Sequence, residues 1–527
     1  MSLEDDLSRP EAYETKTARV DLVRTHIASV FLLDRDVFKI KRPVDLGFLD
    51  FRTIESRRAV CEAEIRLNAR LAPRVYEGLE AVRRGADGRC RIGGDGEIVD
   101  WAVHMRRMPD ERRADVLLEH DMLSGAKLDA LAERLAAFHA AARSDAVTSS
   151  FGTCASILCN VEENFAQTRD EIDVFVRPEE ADEIVRWQRA FVHGHRALFD
   201  ERVATGKVRD GHGDLRLEHV YFEDHAAPTI LDCIEFSDRF RFADVCADVA
   251  FLSMDLASHG RVDLAERFLA RYARASNDFD LYALVDFYES YRAFVRAKVC
   301  MMRLADPLAD EATRPQTGAE ARRHFLLALS ADRRPLLLPA LVAVGGIIAS
   351  GKSTIADRVG ADMGAPVIDA DRTRKAMLGV APTEPVHEAA WKGAYDPAFT
   401  EKVYEEVLRR AGVVLASGRP VVLDASFRSP AMRGAARKLA STYGVPFRFV
   451  ECRADVEACR ARLVVRANHA GVSDGRIAIF DEFCAKFEPP RELPECERIA
   501  VDTSRAIDDS IATLRTRLDT WPPGLAG

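Results

Sequence analysis

Apolar residues gather in short β-rich runs over the first 120 positions, "ASVFLL" (28–33), "DVFKIK" (36–41) and "IVDWAVHM" (98–105), and each run predicts a strand. Between them the spacing changes. From about Thr53 to Leu71 the pattern predicts one long helix, with Val60, Glu64, Leu67 and Leu71 on a single stripe. From about Lys127 to Ser330 the periodicity is mostly helical, interrupted by "HVYF" (219–222) and "TILDCIEF" (229–236). A small β-rich lobe followed by a larger helical lobe is therefore expected for a first domain, residues 1–330. The charged, proline-bounded stretch "SADRRPLLLP" (330–339) reads as a connection. Beyond it, "ALVAVGG", "APVID", "PVVLDAS", "PFRFVEC" and "ERIAVDTS" alternate with helices starting near Lys352, Arg372 and Pro430. Strands alternating with helices predict parallel βαβ units, so residues 331–527 form a second, α/β domain with a mostly parallel sheet. The terminal "TWPPGLAG" is expected to fray.

One strand-to-helix junction of that second domain carries phosphate chemistry. In "GGIIASGKST" (345–354), Gly346, Gly351, Lys352 and Ser353 satisfy G-x-x-x-x-G-K-[ST] between a strand, "LVAV", and a helix, "STIADRVGADM". Glycines there let backbone N–H groups wrap phosphates, and the helix N-terminus adds its positive end. Lys352 reaches the terminal phosphates and the Ser353 hydroxyl meets Mg²⁺, while Ser350 and Thr354 complete the nucleotide-binding loop. Asp371, in "APVIDADRTRK", is placed to orient or deprotonate an acceptor hydroxyl, and Arg374 to grip an anionic part of the substrate. The competing role for Asp371, and for Asp424 of the next strand, is a helix N-cap. Asp424, closing "PVVLD", reads as a carboxylate holding the metal through water. Arg462 and Arg466 lie four apart on one helix face before a Gly/Ser-containing loop, which predicts a lid whose arginines cover the phosphates; a solvated basic face is the alternative. Over about residues 338–510 these features resemble the P-loop small-molecule and polynucleotide kinases, including gluconate kinase-like and zeta toxin-like proteins.

A second constellation stands in the first domain. In "RDGHGDLRLEHVYF" (209–222), His212 and Gly213 set a tight backbone that aims Asp214, a candidate base for a substrate hydroxyl. Asp232, at the end of the apolar run in "TILDCIEF", is a natural metal ligand. "HGD" followed by this "LD" resembles the aminoglycoside phosphotransferase family, with its protein-kinase-like fold and H-G-D-x-x-x-x-N pattern. His219 stands at the position of the asparagine. Mg²⁺ prefers hard oxygens, which leaves three outcomes: His219 binds a softer divalent ion, Glu218 or Glu235 supplies the missing oxygen, directly or through water, or the domain binds nucleotide without efficient turnover. The second is the expectation adopted.

Lys39 and Lys41 share one face of their strand, and alternation leaves both open as the phosphate-pairing lysine. The resemblance places the lysine after a hydrophobic pair, which selects Lys39. Glu64, a carboxylate within an apolar stripe, needs a buried partner and is matched to Lys39, whereas Glu62 between Arg58 and Arg66 suits an exposed ion pair. The resemblance further implies an adenine-contacting hinge near Met105 to Met108 and a phosphate-covering loop at "THIASVF", which lacks glycines. His139 reads as a satisfied core histidine, and Asp244 and Asp248 as structural.

Composition narrows the function. The chain has 527 residues, 47% of them hydrophobic and 30% charged, with a formal net charge of -10, which argues against an extended nucleic-acid surface. No apolar run is long enough to span a bilayer, the acidic start does not read as a signal peptide, and eleven cysteines without a CxxC pair fit reduced thiols in the cytoplasm. The whole chain resembles a two-module group described as bifunctional aminoglycoside phosphotransferase/ATP-binding proteins. The resemblance implies an α+β protein-kinase-like bilobal N-terminal module plus an α/β P-loop NTPase module, using ATP (GTP is possible) and Mg²⁺ to phosphorylate a hydroxyl of a small molecule. Two other expectations stay open: a nucleotide-sensing regulator with an impaired kinase-like module, and a 5′-hydroxyl polynucleotide kinase in the P-loop half.

Overall fold

The computed structural model describes residues 2–25, 27–45, 49–224, 227–306, 311–329, 337–386, 388, 391–466 and 471–521. His26 of the proposed phosphate-covering loop, the connection 330–336, the lid-loop residues 467–470 and the terminal 522–527 lie outside the described residues. The chain divides into two compact units, Met1–Gly260 with Phe287–Ala331, and Arg261–Asp286 with Asp332–Gly527. The helix Val262–Ser276, assigned above to the first domain, thus groups with the second unit.

The first unit is α+β and bilobal, with the protein-kinase-like architecture that the resemblance implies. Its small lobe is an antiparallel sheet of β1 (Asp21–Arg24), β2 (Ala28–Leu32), β3 (Asp36–Lys41), β4 (Tyr76–Arg84), β5 (Cys90–Ile92) and β6 (Glu97–Arg106), in the order β1-β2-β3-β6-β4-β5. Period-two alternation puts Phe38 and Ile40 against Leu7, Tyr13, Phe31 and Val82 on one face, and Lys39 and Lys41 on the other, beside the helix Ile54–Asn68. β4 carries no strand signal in the sequence: Glu77, Gly78, Glu80, Arg83 and Arg84 occupy most of it, and pairing with β6 overrides their low β-propensity.

The larger lobe is helical, with two short ribbons, β7 (Val208–Asp210) with β10 (Phe242–Asp244) and β8 (Val220–Tyr221) with β9 (Thr229–Ile230). The expected strand "TILDCIEF" is cut to Thr229–Ile230 because Asp232 takes a left-handed conformation, φ 61°, which ends the pairing and turns the carboxylate out of the sheet. The ribbons hold the HGD turn against the helix Val245–Ser258, whose N-cap Asp244 accepts from the Cys246 N–H at 2.8 Å. Asp244 also forms a buried two-pronged ion pair with Arg202, 2.7 Å on each side.

The second unit is a parallel sheet of β11 (Leu341–Gly345), β12 (Val367–Asp369), β13 (Val421–Asp424), β14 (Phe447–Arg453) and β15 (Arg498–Asp502), in the order β12-β13-β11-β14-β15. The chain runs from central β11 outward to β12 and returns through β13 before crossing to β14, so the turn after β11 opens at the topological switch point. The G-x-x-x-x-G-K-[ST] loop occupies that turn. Gly346 sits at φ 151°, and a Cβ there would lie 2.6 Å from the Cys452 carbonyl and 2.7 Å from Ser350 Oγ, so no other residue fits. Helices pack on the sheet through Ile355, Val359 and Met363 on one side of Val342 and Val344. Among the described residues, no helix is long and apolar enough to cross a membrane.

Removing Asp244 strips the helix cap and takes a two-pronged carboxylate partner from the buried Arg202 guanidinium. Asp244→Ala is expected to cost about 3–5 kcal/mol, read as a fall in the urea midpoint of the first unit with no change in that of the second.

Candidate functional sites

In the first unit, buried charges of alternating sign meet in one chain of contacts. Glu64 rises from the apolar stripe of its helix and its two carboxylate oxygens take one lysine each, Lys39 at 2.9 Å and Lys41 at 2.6 Å. Lys39 also reaches Asp232 at 2.5 Å, and Lys41 reaches Glu235 at 2.5 Å. Alternation could not separate the two lysines, and the structure uses both. Only Lys39 touches Asp232; Lys41 is sealed from solvent. Glu62 pairs with Arg58 at 3.0 Å in the open, as its helix position predicts.

Asp248 organises the HGD turn by accepting the His212 N–H at 2.6 Å and the Gly213 N–H at 2.8 Å, with His139 Nε2 3.3 Å away. Gly213 adopts φ 87°, and the Phe240 carbonyl lies 3.0 Å from where a Cβ would sit. His212 donates from Nε2 to the Leu231 carbonyl at 2.8 Å and is buried, and burial pushes its imidazole down to about 4. This histidine is therefore a neutral strut, tying the Asp214 turn to the Asp232 segment.

His219 donates from Nδ1 to the Asp214 carbonyl at 2.8 Å. Its Nε2 faces the Glu218 carboxylate at 3.4 Å and Asp232 Oδ2 at 3.7 Å. Burial opposes charging and Arg216 adds to that opposition, yet the Glu218 bond and the Asp214 and Asp232 carboxylates raise its pKa above the ordinary value. Arg216 Nη2 also stands 3.5 Å from Nε2, so that nitrogen lies between a guanidinium and two carboxylates while Nδ1 is committed to the Asp214 carbonyl. Glu235, considered above as a replacement ligand, is committed to Lys41, and Glu218 is held by Arg216. Asp214 itself bonds Arg216 Nε at 3.2 Å. Despite burial, the carboxyls of Asp214, Glu218, Asp232 and Glu64 all lie below their ordinary pKa, because Arg216, His219, Lys39 and Lys41 stand against them. Glu235, at the closed end of the network, is pushed up by burial. Met105 lies in β6, paired with Val37 and Tyr76, on the strand that leads to the link between the lobes.

In the second unit, an open cavity of about 130 Å³ is lined by Gly351, Lys352, Ser353, Thr354, Asp371 and Asp424, among others. Lys352 Nζ donates to the Ile347 carbonyl at 2.7 Å, holding the loop closed on itself. Ser350 is fully buried under the loop and does not line the cavity, although the G-x-x-x-x-G-K-[ST] spacing brackets it. The parallel register sets Asp369 directly beside Asp424 at the carboxyl edge of the sheet. Burial pushes both upward, with Asp371 adding to it at Asp369 and Asp369 adding to it at Asp424, which rises to about 7 although Ser353 donates to it and Lys352 stands nearby. Asp369 is the N-cap of its helix, accepting from Asp371 and Arg372 N–H at 2.7 and 3.0 Å. That leaves Asp371 free of capping. It faces the cavity and pairs with Arg374 at 2.7 Å.

The two lid arginines separate. Arg466 lines the cavity, whereas Arg462 turns to the back of the loop and donates to the carbonyls of Ala349 (3.1 Å) and Thr503 (2.5 Å). Arg462 is thus a brace of the phosphate loop rather than a cover for the cavity. Tyr395, Tyr404 and Arg428 also line the cavity and carry no motif by which sequence spacing could find them.

The AAA_33 family, described as an AAA domain, matches residues 341–490. The uncharacterized protein Rv2004c of Mycobacterium tuberculosis (strain ATCC 25618 / H37Rv) is 36% identical over 470 residues, spanning 89% of this chain and 90% of that protein. The chain belongs to the family of Rv2004c. The same identity and coverage relate it to the uncharacterized protein Mb2027c of Mycobacterium bovis. Partial likeness to solved structures runs to a choline/ethanolamine kinase family protein from Mesorhizobium loti (14% identity, 63% of this chain and 100% of that one, TM-score 0.38) and a gluconokinase from Sinorhizobium meliloti 1021 (22%, 34% and 90%, TM-score 0.25). In this Rv2004c-family chain the matched AAA segment contains the loop, Asp371, Asp424 and both lid arginines.

The depressed His212 pKa has a measurable consequence. Below pH 6.5 the unfolded chain takes up a proton that the folded chain refuses, so stability present above pH 6.5 is lost as pH falls towards 4. The His212 contribution to that loss is expected to reach about 2 kcal/mol by pH 5, and His212→Asn is expected to flatten the fall in urea midpoint between pH 7 and 5.

Proposed function

We propose that this chain is an ATP-dependent phosphotransferase whose P-loop unit moves the γ-phosphoryl group to a hydroxyl of a small molecule. The observation that carries the reading is the under-compensated pair Asp369 and Asp424, pushed up in pKa at the sheet edge beside an intact phosphate loop. Two crowded carboxylates that cannot both ionise freely form a site for a hard cation, and the oxygens of Ser353 and Asp424 suit Mg²⁺. Bound there, Mg²⁺ would neutralise charge on the phosphates. Lys352 would exchange the Ile347 carbonyl for the terminal phosphates, and Gly346 and Gly351 would present backbone N–H groups to them. Asp371, steadied by Arg374, would take the acceptor's hydroxyl proton. Arg466 would close on the transferring group. The loop grips phosphates and reads no base, so GTP serves in principle as ATP does.

The first unit supports a different role. Its carboxylates are already matched by Lys39, Lys41 and Arg216, with the His219 ring among them, so the residues as arranged do not fit a divalent ion. Lys39 with Glu64 and Asp232, together with the hinge near Met105, suits nucleotide binding. A nucleotide-responsive regulatory unit, within the two-module arrangement described as bifunctional aminoglycoside phosphotransferase/ATP-binding, is the second reading, and the His219 geometry favours it.

Full-length protein incubated with γ-labelled ATP and a metabolite extract is expected to label a small molecule and no oligonucleotide. Lys352→Ala and Asp371→Asn should each lower that transfer by about 10²- to 10⁴-fold. Transfer that survives both changes and falls with Asp214→Asn would overturn the reading and put the chemistry in the first unit.

A further inference from the structure

Beyond the reacting groups, the P-loop cavity contains a cation that no carboxylate among the described residues answers. Arg374, expected from the sequence to grip an anionic part of the substrate, is fully engaged: Asp371 at 2.7 Å, the Ala394 carbonyl at 3.0 Å and the Tyr395 ring 4.6 Å from its centre. Arg428 is not. It is half-buried and lines the cavity, and among the described residues no carboxylate or other hydrogen-bond acceptor meets its guanidinium. Its plane is covered by Trp391, with the ring centroid at 4.4 Å, and that indole stacks in turn on Phe483 at 4.5 Å and 15°. Aromatic faces satisfy the flat of a guanidinium and leave its N–H edge for another group. Burial and the nearby Arg374 both act against the charged form. A guanidinium kept in such a place without a counter-ion is held for one that arrives.

The backbone around Arg428 is built to hold it there. Phe427 takes φ 45° and Trp391 φ 62°, left-handed conformations that a bulky side chain adopts only when its surroundings impose them. At Phe427 those surroundings are specific: its N–H donates to Tyr404 Oη at 3.0 Å and its carbonyl accepts from Arg433 at 2.7 Å. The Arg428 carbonyl accepts from the Glu488 N–H at 2.8 Å. Arg433, with no exposed surface, is clamped by Glu492 at 2.5 and 2.9 Å and also reaches the Glu488 carbonyl, so the Arg428 turn is locked to the segment that follows Phe483. Two bulky residues in left-handed conformations, one preceding Arg428 and one stacked on it, both fix the posture of a cation on the cavity wall.

We propose that Arg428 is the anion-reading residue of the acceptor subsite, so that the hydroxyl-bearing acceptor also carries a carboxylate or a phosphate, received edge-on by a guanidinium fixed on Trp391. The proposal rests on the phosphotransferase reading of this unit and deepens it. Carboxylate and phosphate share the two-oxygen face that an arginine fork matches.

Trp391 makes the subsite visible. Full-length protein is loaded with magnesium and the non-hydrolysable analogue AMP-PNP, so that added anions do not settle on the phosphate loop. Inorganic phosphate and acetate are then titrated separately while tryptophan emission is followed, with Trp391→Phe defining the share of signal that belongs to Trp391. A saturable Trp391-dependent change is expected with at least one of the two anions. It should weaken by about 10- to 100-fold in Arg428→Gln and by less in Arg428→Lys, which keeps the charge but not the fork. No saturable response to either anion in the loaded wild type, or a response that Arg428→Gln leaves intact, would overturn the assignment. Failure of AMP-PNP to bind at all would instead overturn the phosphotransferase reading of the unit.

Discussion

A charge taken out of water must be matched, and the two units of this chain meet that constraint in opposite ways. In the first, Glu235, Lys41, Glu64, Lys39 and Asp232 alternate in sign along a continuous series of short contacts, so Glu64 and Asp232 are held ionised by their lysines and only Glu235, at the closed end, is pushed the other way. In the second, Asp369 and Asp424 stand side by side and are pushed up in pKa, while Arg428 lines the same cavity with no carboxylate paired to it among the described residues. Closed bookkeeping gives a rigid, self-sufficient pocket. Open bookkeeping gives one that is completed by ligands of both signs, a cation at the sheet edge and anions at the loop and at Arg428.

His219 is the hinge of the contrast. An asparagine in its place would offer an oxygen to a metal and no charge. The imidazole donates from Nδ1 to the Asp214 carbonyl, and its Nε2 faces the Glu218 and Asp232 carboxylates and the Arg216 guanidinium. An imidazole with a raised pKa in place of an amide removes a hard oxygen and adds a ring whose charged form the surrounding carboxylates favour. That physical difference, and not the HGD triplet, distinguishes the pocket from the pattern it resembles.

Much of the site was legible because it depends on local geometry. Glu64 declared itself as a carboxylate in an apolar stripe, and the phosphate loop as glycines at fixed spacing between a strand and a helix. Lys41 was harder: its strand position equals that of Lys39, and only the third dimension assigns one lysine to each oxygen of Glu64. β4 escaped notice because its stability comes from pairing with β6 across charged and glycine positions. Asp369 and Asp371, two residues apart, divide capping and cavity-facing duties that only the start of the helix at Ala370 decides. Arg462 and Arg466 share a helix face, yet the first is drawn to backbone carbonyls behind the loop.

Arg428 left no trace in the sequence for a related reason. Nothing in "ASFRSP" marks an arginine as unpaired, because being unpaired is a property of everything that surrounds it. Its meaning comes from Trp391, 37 residues earlier, from Phe483, 55 residues later, and from Arg433 and Glu492, which fix the strained turn. Motifs record the groups that chemistry holds in common, such as a phosphate tail and its metal. The groups that choose an acceptor are assembled from remote segments, so they become readable only as an imbalance: a cation stacked, strained into place and left without a partner.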